Sequence, residues 1–324
     1  MAFVGAKAET YGDWKIYYPI FGEAKIDGRR CLVVVENLKA KAISGASGKD
    51  LSSRMPAICA DLVMLLELNG LRDGVFDGEL NAELEEGDGY RSSWGKTGMV
   101  FSKNIPVEEI NDQIRFAVFD FVSLKAFQEQ FFCEDVTPLR KRDALLRKLF
   151  IANVSPHVFY IEKKLLYSEA EIDQYYEVLR AAGWEGIMLK DPDSSYKNYT
   201  RSACWLKHKP VKTDDFPIVG FEVGKGKNSR RLGALVVTTP TGELLRVGGG
   251  FKDRPEARTR FARLKGTKEE FEDMDLGLLN DRETIWKFRE YLLGQVVEVR
   301  SQDDKRKVCI ERSPNFVRFR PDKE

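Results

Sequence analysis

The sequence predicts an α+β protein in two parts, and three observations carry that expectation. Strand-like and helix-like stretches alternate over the first 210 residues. A polar stretch with two prolines follows at 209–217 and reads as a linker. Beyond it come several short strands at close spacing. The expected division is residues 1–211 and 212–324, in line with a prior of about 100–200 residues per domain.

Taken in order, Cys31-Leu32-Val33-Val34-Val35 reads as a buried strand, as do Val75-Phe76, 114–121 and 186–189. Helices are expected at 56–68, 138–150 and 169–182. The second has Thr137 as its N-cap and Pro138 at its first helical position; the third ends before Gly183, a C′ residue. In the second part, 234–239 and 244–247 flank Pro240-Thr241-Gly242-Glu243, a hairpin signal, and 295–300 and 308–312 are further strands. Such strands suggest a small barrel, of which the OB-fold is the nucleic-acid-binding example. The charged, helix-prone stretch 253–293 is expected to be a helical insertion.

At 43% hydrophobic and 32% charged, the chain suits a soluble globular protein. Its net charge is only +1, so composition alone does not announce a polyanionic partner. The distribution says more: residues 1–210 carry 28 Lys+Arg against 31 Asp+Glu, whereas 211–324 carry 24 against 20. Cys31, Cys59, Cys133, Cys204 and Cys309 are scattered, which argues for a reducing compartment and against a disulfide framework or a zinc cluster. With His157 and His208 as the only histidines, a His-based metal site is disfavoured. No run approaches 18 apolar residues, and Lys7, Glu9, Asp13 and Lys15 interrupt the N-terminus, so neither a membrane span nor a signal peptide is expected. The expected location is cytoplasmic, in the host cytoplasm if the source is viral.

Chemistry first enters at Lys25-Ile26-Asp27-Gly28-Arg29-Arg30. A lysine there could act as a covalent nucleophile if nearby cations or desolvation favour its neutral amine. Glycine lets backbone approach a ligand closely, and Arg30 could neutralise an anion. Taken alone, the hexapeptide is equally a solvated charged turn. Five further segments follow in order: Phe76-Asp77-Gly78-Glu79-Leu80, Ala117-Val118-Phe119-Asp120-Phe121, Glu185-Gly186-Ile187-Met188-Leu189-Lys190, Trp205-Leu206-Lys207-His208-Lys209-Pro210 and Arg320-Pro321-Asp322-Lys323. Each is weak alone. Together the six resemble the motif series of covalent nucleotidyltransferases, and are most similar to the ATP-dependent DNA ligases of small bacteriophage type.

That resemblance implies an N-terminal nucleotidyltransferase (ATP-grasp-like) domain followed by a C-terminal OB-fold β-barrel domain. It implies that Lys25 attacks the α-phosphate of ATP and forms a lysine–AMP intermediate, from which AMP passes to the 5′-phosphate of a nick. Glu23 would read the adenine amine, Phe119 would stack on the base, and Asp27, Gly28, Arg30 and Lys190 would complete the nucleotide site. Glu79 and Glu185 would hold the ribose or Mg²⁺, with Mn²⁺ able to substitute. Lys207 and Lys209 would stabilise the α-phosphate; Arg320 and Lys323 would orient the pyrophosphate. The partner is nicked double-stranded DNA, the chain is expected to be monomeric, and the physiological setting is replication, repair or recombination. A basic loop, Gly224–Leu235 in span, places Lys225, Lys227, Arg230 and Arg231 where they could meet DNA phosphates, or form a solvated hairpin. Its Gly224-Lys225-Gly226 is not a dinucleotide fingerprint, because the flanking strand–helix context is wrong.

Two departures stand out. Ser44-Gly45-Ala46-Ser47-Gly48-Lys49 has Ala46 where these ligases usually carry arginine, leaving Lys49 or Arg54 to compensate. Lys25 also comes so early that no preceding DNA-binding domain is expected. The rival readings are an RNA ligase or mRNA capping-type nucleotidyltransferase and, from another class, a non-catalytic OB-type nucleic-acid-binding protein. Glu23 and the small-ligase spacing favour ATP and DNA.

Overall fold

The computed structural model describes residues 7–12, 14–82, 94–101, 105–128, 134–151, 155–198, 201–302 and 312–323. Two compact units divide the chain, Met1–Lys209 and Pro210–Glu324.

The first unit opens with four strands, β1 (Lys7–Thr10), β2 (Ile20–Lys25), β3 (Arg29–Glu36) and β4 (Lys39–Ser44). Helix α1 (Pro56–Leu68) starts at a proline and leads to β5 (Gly74–Ala82). Helices α2 (Trp94–Val100) and α3 (Val107–Gln113) precede β6 (Ile114–Val122). Next come α4 (Leu124–Gln128), β7 (Glu134–Asp135), α5 (Leu139–Phe150), β8 (Val158–Tyr160) and β9 (Lys163–Leu166). The unit ends with α6 (Glu169–Ala181), β10 (Gly186–Lys190), β11 (Tyr196–Lys197) and β12 (Arg201–His208).

These strands form two five-stranded sheets, ordered β1-β12-β10-β2-β9 and β4-β3-β5-β6-β8, and a two-stranded pair of β11 with β7. Strand periodicity gives each large sheet two different faces. In the second sheet Cys31, Val33 and Val35, with Phe76, Leu80, Phe116 and Val118, pack on Ile58, Leu62 and Leu66 of α1 and Leu146 and Leu149 of α5. The intervening positions, Arg30 and Leu32, Asp77 and Glu79, point the other way. In the first sheet Ile20, Leu166, Ile187, Leu189 and Leu206 pack on Ile172 and Leu179 of α6. Its opposite face carries Glu23, Lys25, Met188, Lys190, Trp205 and Lys207. Outer faces are thus apolar and helix-covered, and inner faces carry the charge.

Local signals explain most boundaries. Ser168 caps α6 by accepting from the Glu171 N–H at 3.2 Å, and Gly183, just past its end, takes φ +86°. Helix α5 begins one residue later than the sequence suggests. Pro138 is its N-cap, with extended ψ of 143°, and the Thr137 carbonyl accepts from the buried Arg142 guanidinium. That side-chain contact holds the chain extended where Thr137 was expected to cap.

The second unit contains β13 (Val211–Val223), β14 (Leu232–Thr238), β15 (Leu244–Val247), α7 (Lys268–Glu272), α8 (Arg282–Lys287), β16 (Val296–Gln302) and β17 (Arg312–Phe319). The strand order is β15-β14-β13-β16-β17, and a parallel bridge of Gly249 to Asn315 ties its two ends together. The stretch expected to be a linker is instead the first half of β13: 211–217 pair with β16 and 218–223 with β14. Pro217 stands at the changeover, opposite Val296. A proline at the point where a strand exchanges partners loses no ladder bond, so its presence did not argue against a strand here. Residues 253–293 hold only short helical pieces, α7, α8 and two 3-10 turns at Arg260–Arg263 and Leu276–Leu278. Ile285, Phe288 and Leu292 pin this region into the unit's core with Phe216, Val297 and Phe316. Of the expected strand at 308–312, residues 308–311 lie outside the described residues.

Candidate active site

The inner faces of the first unit's sheets enclose a cleft of about 270 Å³, lined among others by Glu23, Lys25, Arg30, Glu79, Phe119 and Met188. Strand register decides which side chains meet there. Lys207 of β12 lies opposite Met188 of β10, Met188 opposite Glu23 of β2, and Glu23 opposite Lys163 of β9, forming one row across the sheet. One step along, Trp205 lies opposite Lys190; one step the other way, Gly186 lies opposite Lys25. Gly186 has no room for a side chain: a Cβ there would stand 2.2 Å from the His208 carbonyl oxygen. Gly28 is similarly confined, its missing Cβ lying 2.1 Å from the Leu80 carbonyl oxygen and 2.8 Å from Glu79 Cγ. The glycine of the Lys25 motif therefore serves close approach of backbone to β5, which brings Glu79 beside Lys25.

Lys25, the last residue of β2, donates from Nζ to Glu185 Oε2, and Lys209 Nζ reaches the other carboxylate oxygen at 3.6 Å. Glu185 is held in place by its own N–H, which donates to the Lys25 carbonyl at 3.1 Å. Across the cleft, burial pushes the Glu79 carboxyl up to about 8; Lys25 and Arg30 oppose the shift, and Glu185 and Asp77 reinforce it. Arg30 is committed within the protein. Its guanidinium makes a two-pronged contact with the fully buried Asp77, which also accepts from Tyr196 Oη at 2.6 Å. Lys190, almost without exposure, stands 2.5 Å from Glu23 Oε1 and 4.2 Å from the centroids of both the Phe119 and Trp205 rings. Burial lowers the Lys190 ammonium from its ordinary range, with Glu23 opposing and Lys163 reinforcing the shift. Asp27 is buried at the mouth of β3.

The arrangement thus places one amine, Lys25, between carboxylates and further lysines at the rim of an aromatic-walled cleft. Glu185 is close enough to raise the proton affinity of Glu79, the setting that a hard divalent cation relieves, with water and phosphate oxygens completing its shell. Among the described residues no group of three or more His, Cys, Asp or Glu side chains is arranged for a metal ion.

Residues 15–209 match the family model described as ATP dependent DNA ligase domain. The chain belongs to the ATP-dependent DNA ligase family. It is 27% identical over 220 residues to DNA ligase 2 of Haloquadratum walsbyi, covering 68% of this chain and 33% of that protein. It is 33% identical over 201 residues to a DNA ligase of Archaeoglobus fulgidus, covering 59% of this chain and 34% of that one. The chain therefore spans about a third of the length of these curated relatives. Among solved structures it is similar to Pmar-Lig_PreS3, with a TM-score of 0.73 and 25% identity, over 98% of this chain and 68% of that one.

The remaining expected ligase residues lie in the second unit or at the turn after β4. Ala46 is exposed in a turn closed by Gly48 N–H donating to the Ser44 carbonyl at 2.8 Å, and Gly45 N–H donates to the Arg30 carbonyl at 2.9 Å. Lys49 is exposed in the same turn, whereas Arg54 donates to the Ile105 carbonyl at 2.9 Å. Of the basic loop, Lys227 pairs with Asp253 at 2.9 Å and Arg231 donates to the Asp253 carbonyl at 2.7 Å; Lys225 and Arg230 are exposed. Arg320 is forked onto Asp322 at 2.9 and 2.7 Å and reaches Asp215 at 3.2 Å, where Lys323 also lands, at 2.5 Å. That fork holds the Asp322 carboxyl down at about 2.

Sequence reasoning missed Met188, Trp205, Asp77, Tyr196 and Lys163. For two of them a signal existed: Met188 lies two residues before Lys190 and Trp205 two before Lys207, the spacing that puts strand neighbours on one face. Lys163 and Tyr196 had none, since both reach the site through partners far away in sequence.

Proposed function

We propose that this chain is an ATP-dependent DNA ligase of the small type, sealing nicks in duplex DNA through a lysine–AMP intermediate on Lys25. One observation carries the reading: on facing walls of a single cleft, the Lys25 amine meets Glu185 and Glu79 while Lys207, Lys190, Phe119 and Trp205 line the remainder. Phe119, Trp205 and Met188 form the wall for the adenine, with Glu23 at its edge. Lys25 Nζ attacks the α-phosphate and pyrophosphate leaves; Lys207 and Lys209 supply positive charge at the phosphate and beside Glu185. AMP then passes to the 5′-phosphate of the nick, and the 3′-hydroxyl displaces it. Each step is a displacement at phosphorus, so positioning and charge supply the catalysis. Mg²⁺ held through Glu79 and Glu185 would neutralise charge building on the phosphate oxygens, and Mn²⁺ would substitute.

The second unit is proposed as an OB-fold barrel following the nucleotidyltransferase unit, gripping DNA phosphates through Lys225 and Arg230, with Arg320 and Lys323 acting on the pyrophosphate. A monomer in the cytoplasm serving replication, repair or recombination fits this reading. Among the described residues no helix is long and apolar enough to cross a membrane. The test is incubation with α-labelled ATP, mapping of the adduct, then addition of nicked substrates. An AMP adduct on Lys25 and sealing of nicked DNA are expected; an adduct from GTP, or sealing of RNA nicks alone, would replace the reading with a capping-type or RNA-joining one.

A further inference from the structure

Lys163 lies behind the cleft, not in it. Its side chain has no exposure, and its Nζ stands 3.4 Å from Glu23 Oε2 and 2.8 Å from Asp143 Oδ1. Helix α5 braces it from the far side. Asp143 accepts from Tyr160 Oη at 2.8 Å and from Arg147 Nε at 3.1 Å, and Arg147 Nη2 donates to the Lys163 carbonyl at 2.7 Å. Glu23 therefore has a lysine on each carboxylate oxygen, Lys190 on Oε1 and Lys163 on Oε2. These are Coulombic contacts rather than aligned hydrogen bonds: Glu23 Oε2 and both ammonium groups lack a well-directed hydrogen-bond partner among the described residues. Of the three, Glu23 and Lys190 line the cleft. Glu23 as a residue lines the cleft, and an ionised carboxylate has lone pairs beyond those engaged by the two ammonium groups, so it can accept from a donor on a ligand.

We infer that Lys163 is a positioning residue for nucleobase choice, fixing the Glu23 carboxylate so that it accepts from the amino group of adenine and repels the carbonyl oxygen that guanine carries at the same place. The inference deepens the proposed function and rests on it. The physical ground is that Glu23, buried to 2% exposure, is acceptor-only while ionised, and discrimination of this kind depends on an acceptor that does not turn away. Burial alone would lower the Lys163 ammonium, but Glu23 and Asp143 outweigh it and hold it up at about 12, so the clamp stays charged. Without Lys163, Lys190 is the one cation left on the carboxylate among the described residues. Both Glu23 oxygens can then rotate onto it, and the acceptor facing the cleft is lost.

The experiment measures kcat/KM for adduct formation on Lys25 with ATP and with GTP, in wild type, Lys163→Met and Lys163→Arg. Lys163→Met is expected to lower the ATP-to-GTP ratio at least about tenfold, mainly through KM for ATP, with Lys163→Arg restoring it to within about threefold. In a Glu23→Gln background, Lys163→Met is expected to leave the ratio unchanged, because the group it acts through is gone. If Lys163→Met does not fold, Lys163→Gln carries the same test. It keeps a neutral donor between the two carboxylates and should show an intermediate loss. A ratio unchanged by either variant while melting temperature or kcat falls would make Lys163 merely structural and overturn the inference alone. Absence of any wild-type adduct would overturn both this inference and the function it rests on.

Discussion

Lys163, Glu23 and Lys190 lie in the first unit with at most 3% exposure, each cation against a carboxylate. Lys225 and Arg230 in the second unit stand in solvent, and Lys227 beside them is tied to Asp253. The same residue types are thus used in two physical regimes. Buried charges cost desolvation and are held in one geometry, so they act on a small ligand at fixed positions and feel little salt. Exposed charges cost little, move freely, and bind a polyanion by releasing its counterions, a contact that salt weakens steeply. Under the proposed function, this contrast would place nucleotide chemistry in one unit and grip on DNA largely in the other.

The sharpest attempt to break this contrast is Lys25→Ala. Removing a covalent nucleophile costs on the order of 10⁶-fold in rate, so label from α-labelled ATP should fall below detection while salt dependence of DNA binding is unchanged. An adduct persisting on another lysine would sink the assignment. Next in size is the Arg320→Ala, Lys323→Ala pair. Adduct formation should drop by about 10²-fold, as for loss of preorganised positive charge. Sealing of nicked DNA already carrying AMP on its 5′-phosphate should stay within about tenfold of wild type, ~1.4 kcal/mol. If both assays fell together, the tail would be clamping phosphate at every step.

A smaller effect separates the cations of the basic loop. Lys225→Ala with Arg230→Ala should flatten the log–log salt slope for nicked duplex by about 1.8, at about 0.9 per phosphate contact. Lys227→Ala with Arg231→Ala should flatten it less, because Asp253 already engages both. Equal slopes from the two pairs would remove the distinction between them. The smallest effect concerns pH. Glu79 is raised from 4.5 to about 8, so the folded state holds a proton that the unfolded chain releases earlier. Its stability penalty is absent below about 4.5, builds as pH rises, and is complete above about 8. The full shift corresponds to about 5 kcal/mol, but Glu79 is only half-buried and solvent screens most of it; keeping roughly 1 kcal/mol, the wild type should lose about 2–4 °C in Tm across that window relative to Glu79→Gln. Added Mg²⁺ should reduce the loss. Parallel melting curves for the two proteins would mean that the carboxyl is not desolvated.

Helix 56–68 could be read to the residue, because an N-terminal proline and an apolar stripe are local signals. The hairpin of β14 and β15 was legible from Pro240-Thr241-Gly242-Glu243 between two apolar runs, although its first strand runs 232–238 and not 234–239. Where a side chain from elsewhere intervened, the local reading slipped. Arg142 took the Thr137 carbonyl and moved the start of α5, and the ladder with β16 made a strand of 211–217. At the site, the face of each motif residue followed from alternation, but its company did not. Arg30 reads as a cation for an anion and is forked onto Asp77; Arg320 and Lys323, expected at the pyrophosphate, are held by Asp215.

By itself the sequence determined six motifs in order, and the family they resemble implied that an amine, two carboxylates and further lysines would share one site. Only the tertiary structure decided who faces whom. Lys25 meets Glu185 across 160 residues and Arg30 meets Asp77 across 47, because β10 locks in register on β2 in one sheet and β5 on β3 in the other. Register is set by apolar outer faces that must all be buried at once. That requirement is satisfied by the whole sheet, and no local stretch of chain contains it.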